Sequence, residues 1–179
     1  MIRRLTILTF ILTVYLTGFA QTKIEPKNQE LQKQQLQIDT TVVAVLSFKT
    51  TLYWGFKNNQ PSNLTNDDLQ EIETILNKCI KDYNPEQERQ FKKNNDKHPE
   101  YKLDKENFVI NLSNYKRQYI ATLNSKGEKE VWVNCFCDPW KKNWKKDLIM
   151  VHDGGNCYFN LKINLTTGKY YELIVNGEA

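Results

Sequence analysis

The sequence predicts an α+β domain in which one main amphipathic helix packs on a curved antiparallel meander of four to five strands. Three observations lead there. Apolar residues recur at helical spacing from Leu69 to Tyr83. From Tyr115 onward the apolar residues instead alternate with polar ones, the period of a half-buried strand. Turn sequences, Asn124-Ser125-Lys126-Gly127 and Thr166-Thr167-Gly168-Lys169, punctuate the alternating runs. A helix with one oily stripe and a meander with one oily face each need cover, and each covers the other.

The N-terminal segment is a separate object. Met1-Ile2-Arg3-Arg4 is a positive start, Leu5 to Leu16 is an apolar run broken only by Thr, and Gly18-Phe19-Ala20 places small residues before a cut after Ala20. That is the pattern of a secretory signal over residues 1–20, with an apolar run too short for a membrane anchor. A polar, Gln-rich lead-in covers residues 21–39, and a single domain is expected over 40–179. The expected destination is outside the cytoplasm, secreted or periplasmic, with no transmembrane segment once the signal is removed.

Within the domain, Thr41 to Phe48 is β-branched and apolar, a strand pattern. The aromatic stretch Tyr53, Trp54 and Phe56 follows. Thr65 caps the helix with Asp68 at the capping-box position, and Leu64 and Leu69 are spaced as a hydrophobic staple. Leu69, Ile72, Leu76, Cys79 and Tyr83 form the stripe, widened by Ile75 and Ile80. Pro85 predicts a stop near Asn84, with a second short helix over 86–93 and a charged, mobile connection over 94–106. Strands are then predicted over 115–123, 130–137, 148–152, 157–165 and 170–175.

Composition excludes some functions. The chain of 179 residues is 26% charged with a formal net charge of +4, and loss of Arg3 and Arg4 with the signal halves that surplus. No global field for nucleic-acid binding remains. The sequence contains no phosphate loop, nucleophile elbow, paired-histidine metalloprotease motif or Cys-x-x-Cys pair, and no cofactor is implied.

The four cysteines, Cys79, Cys135, Cys137 and Cys157, are an even set in an oxidising compartment, and strand and helix parity aims all four at one core. Cys135 and Cys137 stand two apart on one strand, near the upper limit of bridge geometry. Bridges Cys79–Cys135 and Cys137–Cys157 are therefore preferred, Cys79–Cys137 with Cys135–Cys157 is the alternative, and reduced buried thiols are a third state. A thiol-exchange motif at Cys135-Phe136-Cys137, or a zinc site adding Cys157 and His152, fits buried strand positions poorly.

The segment Asp138-Pro139-Trp140-Lys141-Lys142-Asn143-Trp144-Lys145-Lys146 is the candidate binding element. As a short helix it stacks Trp140 and Trp144 on one face, flanked by Lys141, Lys142, Lys145 and Lys146, and so can grip an anionic surface. The plainer reading makes the indoles a plug at one end of the core and leaves the lysines solvated. His98 reads as a solvated loop residue, and Asp153 as a turn former beside Gly154-Gly155. Asn63, Asn111 and Asn164 head glycosylation sequons.

Tyr115-Lys116-Arg117-Gln118-Tyr119, Val131 to Cys137, Asp153 to Phe159 and Val175 to Ala179 together make the C-terminal third similar to a group of small exported bacterial proteins of unknown function. That resemblance implies export and a compact domain and supplies no activity. A helix followed by a curling meander also resembles the cystatin-like and nuclear-transport-factor-like architectures. The cystatin signature Gln-x-Val-x-Gly is absent, so protease inhibition is not implied. The expected role is an exported, non-enzymatic module that binds an envelope or extracellular partner: a protein, a glycan or a lipid. The competing class is a small enzyme with a pocket between helix and sheet and Asp153 as base.

Overall fold

The computed structural model describes residues 38–49, 56, 59–139 and 141–177. The signal segment 1–20, nearly all of the lead-in, Tyr53, Trp54 and Trp140 lie outside the described residues.

The elements run β1 (Val43–Val45), β2 (Gln60–Pro61), α1 (Asn66–Lys97), β3 (Lys116–Leu123), β4 (Lys129–Phe136), β5 (Tyr158–Asn164) and β6 (Lys169–Val175). Strands β3 to β6 form the predicted antiparallel meander in sequential order. The turn between β3 and β4 closes because Asn124 Oδ1 accepts from the backbone of Lys126 and Glu128, while Gly127 takes φ +75°, which a side chain would strain.

The sheet is mixed, and this departs from a pure meander. β1 pairs with β3 in parallel, Val43 opposite Arg117, and β2 pairs with the far half of the same edge in antiparallel sense, Pro61 opposite Thr122. Two short pieces of chain thus share one edge of β3. Of the predicted strand over 41–48 only three residues pair, because Asp39 turns the chain at one end, accepting from Val42 and Val43.

The helix begins as predicted. Thr65 Oγ1 accepts from the Asp68 N–H at 3.1 Å, and Asp68 Oδ2 accepts from the Thr65 N–H at 2.8 Å. It does not stop at Asn84: α1 runs on to Lys97 with Pro85 inside it. An internal proline loses one helical hydrogen bond, at a cost of roughly 3 kcal/mol. Contacts on both sides of the proline offset that loss. The Asn84 side chain both donates to and accepts from the Ile110 backbone at 2.9 Å, Lys105 pairs with Glu88 at 2.7 Å, and the Phe91 and Phe108 rings meet edge-on. Residues 86–97 therefore extend the helix instead of forming a second one. Short 3-10 turns, Lys105–Asn107 and Leu112–Asn114, lead into β3.

Between helix and sheet the core is filled. Ile72, Leu76 and Cys79 of α1 meet Tyr119, Val131, Val133, Cys135, Phe159, Leu161 and Ile163, all at 0 or 1% exposure. Each large side chain removed from water there contributes about 1.5–3 kcal/mol. Lys129 at the start of β4 binds Asp68 of α1 at 2.7 Å, tying the helix N-terminus to the sheet.

Candidate functional site

The face of the sheet turned away from α1 carries the polar strand positions. In a solvated sheet such residues point into water; here two of them hold a strap of chain. Gln118 is fully buried, and its amide donates to the carbonyls of Trp144 and Asp147 and accepts from the Ile149 N–H at 3.0 Å and from Asn134 Nδ2 at 3.1 Å. Asn134 Nδ2 also donates to the Ile149 carbonyl at 2.8 Å. Both backbone groups of Ile149 are thus bonded by side chains standing on β3 and β4.

This corrects the strand predicted over 148–152. The segment has no regular secondary structure: it is held against the sheet and makes no ladder of its own. The strap reaches the end of β6, where Asn176 Nδ2 donates to the carbonyls of Val151 and Asp153 at 2.7 and 2.9 Å. At the other end of the same face Phe48 and Phe56 pack edge-on over Ile120 and Trp132.

Between these two covers lies a groove of about 210 Å³. Trp132 and Asn160 lie in its floor, with the indole N–H donating to Asn160 Oδ1 at 3.1 Å. Its walls include Met150 and Ile174, which are 45 and 51% exposed. Lys162 and Glu172 line one end and pair at 2.7 Å, with the ammonium 4.9 Å from the centre of the Phe56 ring. Glu172 reaches that position through an irregular register between β5 and β6, where its own φ is +51°. His152 and Tyr158 stand toward the opposite end. Burial first, then Asp138 and Asp153, raise the Tyr158 hydroxyl above its ordinary value; protonated, it donates to the Asp138 carbonyl at 3.1 Å.

The groove was not found by sequence reasoning. Gln118, Asn134 and Asn160 sit at positions that alternation assigns to solvent, and Asn176 follows the last predicted strand. The available signal was the placing of Gln118 and Asn134 midway along otherwise apolar strands.

The cysteines divide two and two. Cys137 and Cys157 form a disulfide with Cα atoms 5.0 Å apart. Cys79 and Cys135 are free thiols buried in the helix–sheet core, so the expected Cys79–Cys135 bridge is absent. A helix residue facing a sheet is held off by the side-chain layer between them, which opposes the close Cα approach a bridge needs. Burial, then the nearby Asp82 charge, pushes the Cys79 thiol up to about 11, and burial raises Cys135 further. Neither has the thiolate character of a reactive cysteine.

Nor do all four cysteines share the core. β4 ends at Phe136, so Cys137 lies beyond the alternating strand and is exposed, while Cys157 closes the 3-10 turn Gly155–Cys157. Their bridge borders an open cavity of about 560 Å³, with Glu106, Asn111 and Asp153 among its lining residues. Among the described residues no cluster of metal-ligating side chains is present.

Among its described residues the tryptophan–lysine segment does not form the expected helix. Residues 142–146 make turns, with the Lys146 and Asp147 N–H groups both donating to the Asn143 carbonyl. Trp144 is buried against Phe136, ring centres 5.7 Å apart, beside Ala44 and Ile149. Its ring is also flanked by the ammonium groups of Lys116 and Lys145. Trp144 is therefore a core residue of the open-face layer, as in the plainer reading. Lys142, Lys145 and Lys146 are exposed, and Lys141 is partly covered, donating to the Leu148 carbonyl at 3.4 Å. Lys145 and Lys146, with Lys49, Val45 and Leu148, line a cleft of about 300 Å³.

His98 caps the end of α1 and contacts Glu100 at 3.3 Å. Asp153 is exposed, and its carbonyl serves the strap. No helix among the described residues is long and apolar enough to cross a membrane. The fold and site define an α+β domain with one disulfide and a groove on its helix-free face. No protein-family model, curated protein or solved structure matches the chain.

Proposed function

We propose that this chain is an exported, non-enzymatic module that binds a partner outside the cytoplasm through the groove on the open face of its sheet. The observation that carries the reading is the contrast between the two faces. The helix side is packed with side chains at 0 or 1% exposure among the described residues. The open side is covered at both ends and leaves Met150 and Ile174 in a concave window between them. The signal pattern of residues 1–20 and the Cys137–Cys157 bridge support export.

The test is a small-molecule fragment screen by NMR on the ¹⁵N-labelled mature protein. Shifts gathered at Met150, Asn160 and Ile174 are expected. Shifts scattered over the surface, or centred elsewhere, refute the assignment.

A second reading rests on the cleft that brings Lys49 together with Lys145 and Lys146. It makes this region a contact for an anionic envelope surface. Binding to vesicles of anionic lipid, weakened by salt and by joint replacement of Lys145 and Lys146 with Ala, is its expected sign. Equal retention on neutral vesicles excludes it.

A further inference from the structure

Three asparagines line the groove, and each uses only one end of its amide to hold the framework. Asn160 accepts from Trp132 through Oδ1, which leaves its Nδ2. Asn134 donates through Nδ2 to Gln118 and Ile149, and Asn176 donates through Nδ2 to Val151 and Asp153, which leaves both Oδ1 atoms. Among the described residues these remaining ends take no partner. The framework bonds fix how each amide is turned, so the groove offers one oriented donor and two oriented acceptors beside the apolar side chains of Met150 and Ile174.

We infer that the groove takes an extended, uncharged stretch of polypeptide with one apolar side chain seated between Met150 and Ile174. The inference rests on the proposed binding role and names its partner. A peptide group carries one N–H and one C=O, and adjacent groups along an extended chain supply the rest of the set that the asparagines complement. The space of about 210 Å³ suits a single anchoring side chain better than a drug-sized molecule.

Two alternatives fit less well. A sugar ring stacks on a freely exposed aromatic face, but Trp132 and Phe56 are buried, and Tyr158 is only half-buried with its hydroxyl donating to the Asp138 carbonyl. A charged ligand finds the charges of Lys162 and Glu172 already paired, so its own charge gains no counter-ion from them. Methionine in the wall supplies adaptable packing for an anchor of variable shape.

The test is a titration of the whole ¹⁵N-labelled mature protein with three probes: N-acetyl-leucine N-methylamide, methyl β-glucoside and hexanol. The leucine amide is expected to shift the Asn160 side-chain NH₂ and the Ile174 amide. Asn160→Asp keeps the acceptor for Trp132 and removes the free donor, so it is expected to weaken that binding about tenfold. Unchanged Trp132 indole and core resonances in this variant establish that it is folded. Shifts with the glucoside or hexanol alone overturn the polypeptide assignment and leave the groove standing as a site. Leucine-amide binding that ignores Asn160→Asp overturns the amide grip. Silence from all three probes removes both this inference and the binding role it rests on.

Discussion

Gln118→Leu should be the most informative single substitution in the open-face layer. The native amide makes four hydrogen bonds from a fully buried position, two to carbonyls of the strap, one from the Ile149 N–H and one from Asn134. At about 1 kcal/mol net for each, their loss amounts to about 4 kcal/mol. Leucine is close in size, so little of the change comes from a cavity. Against a typical total of about 5–15 kcal/mol the effect is easily read by urea denaturation. Hydrogen exchange gives the local readout: the Ile149 amide should lose its protection while amides of β4 and β5 keep theirs. A loss under about 1 kcal/mol, or an unchanged Ile149 amide, refutes the claim that side-chain amides hold the strap. The comparison variant is Cys137→Ser with Cys157→Ser. Opening a loop with a sequence separation of 20 residues costs about 3 kcal/mol, chiefly through the unfolded state, and should leave Ile149 protected.

Three further outcomes are expected. Alkylation of the folded protein without reductant should modify no cysteine, unfolding without reductant should expose two thiols, and reduction should expose four; mass spectrometry reads each step, and absence of free thiol after unfolding refutes the assignment of Cys79 and Cys135. Trp144→Ala should cost about 3–5 kcal/mol, whereas Lys142, Lys145 or Lys146→Ala should each change stability by less than about 0.5 kcal/mol; equal effects in denaturant melts contradict the core role of the indole. For Asp68, burial opposes the charged form, but hydrogen bonds from Lys129 and Thr65 outweigh it and hold the carboxyl below its ordinary 3.8. A depressed folded value means that the stabilisation is present above the unfolded value and fades as pH falls from about 4 through the folded one. Thermal melts of the native protein and Asp68→Asn should therefore differ near neutral pH and converge in acid; a gap that widens in acid contradicts the ion pair.

The parts of the fold that were legible in the sequence are those where one periodicity meets one environment. The stripe of α1, its capping box and the alternation of β3 to β6 all belong to a single buried face, and local pattern reports a single face well. Legibility failed where a distant contact decides local form. Pro85 stays inside a helix because Asn84, Glu88 and Phe91 find partners in residues 105–110. Residues 148–152 read as a strand because they are mostly apolar, yet the Ile149 backbone is bonded by side-chain amides from β3 and β4. The groove was hidden for a related reason: asparagine and glutamine at outward strand positions look the same in a sequence whether they meet water or a strap. The basic segment was conspicuous, but its buried member Trp144 serves packing.

The shared edge of β3 has a consequence for the order of assembly. The meander joins neighbours in the chain, so its hairpins close short loops. β1 must wait, because its partner is made only after all of α1 and the connection behind it. During synthesis the N-terminal arm therefore has nothing to dock on until β3, at residues 116–123 of 179, has emerged. Until the arm returns, that edge of β3 presents unpaired backbone groups, and the long-range closure is what covers them.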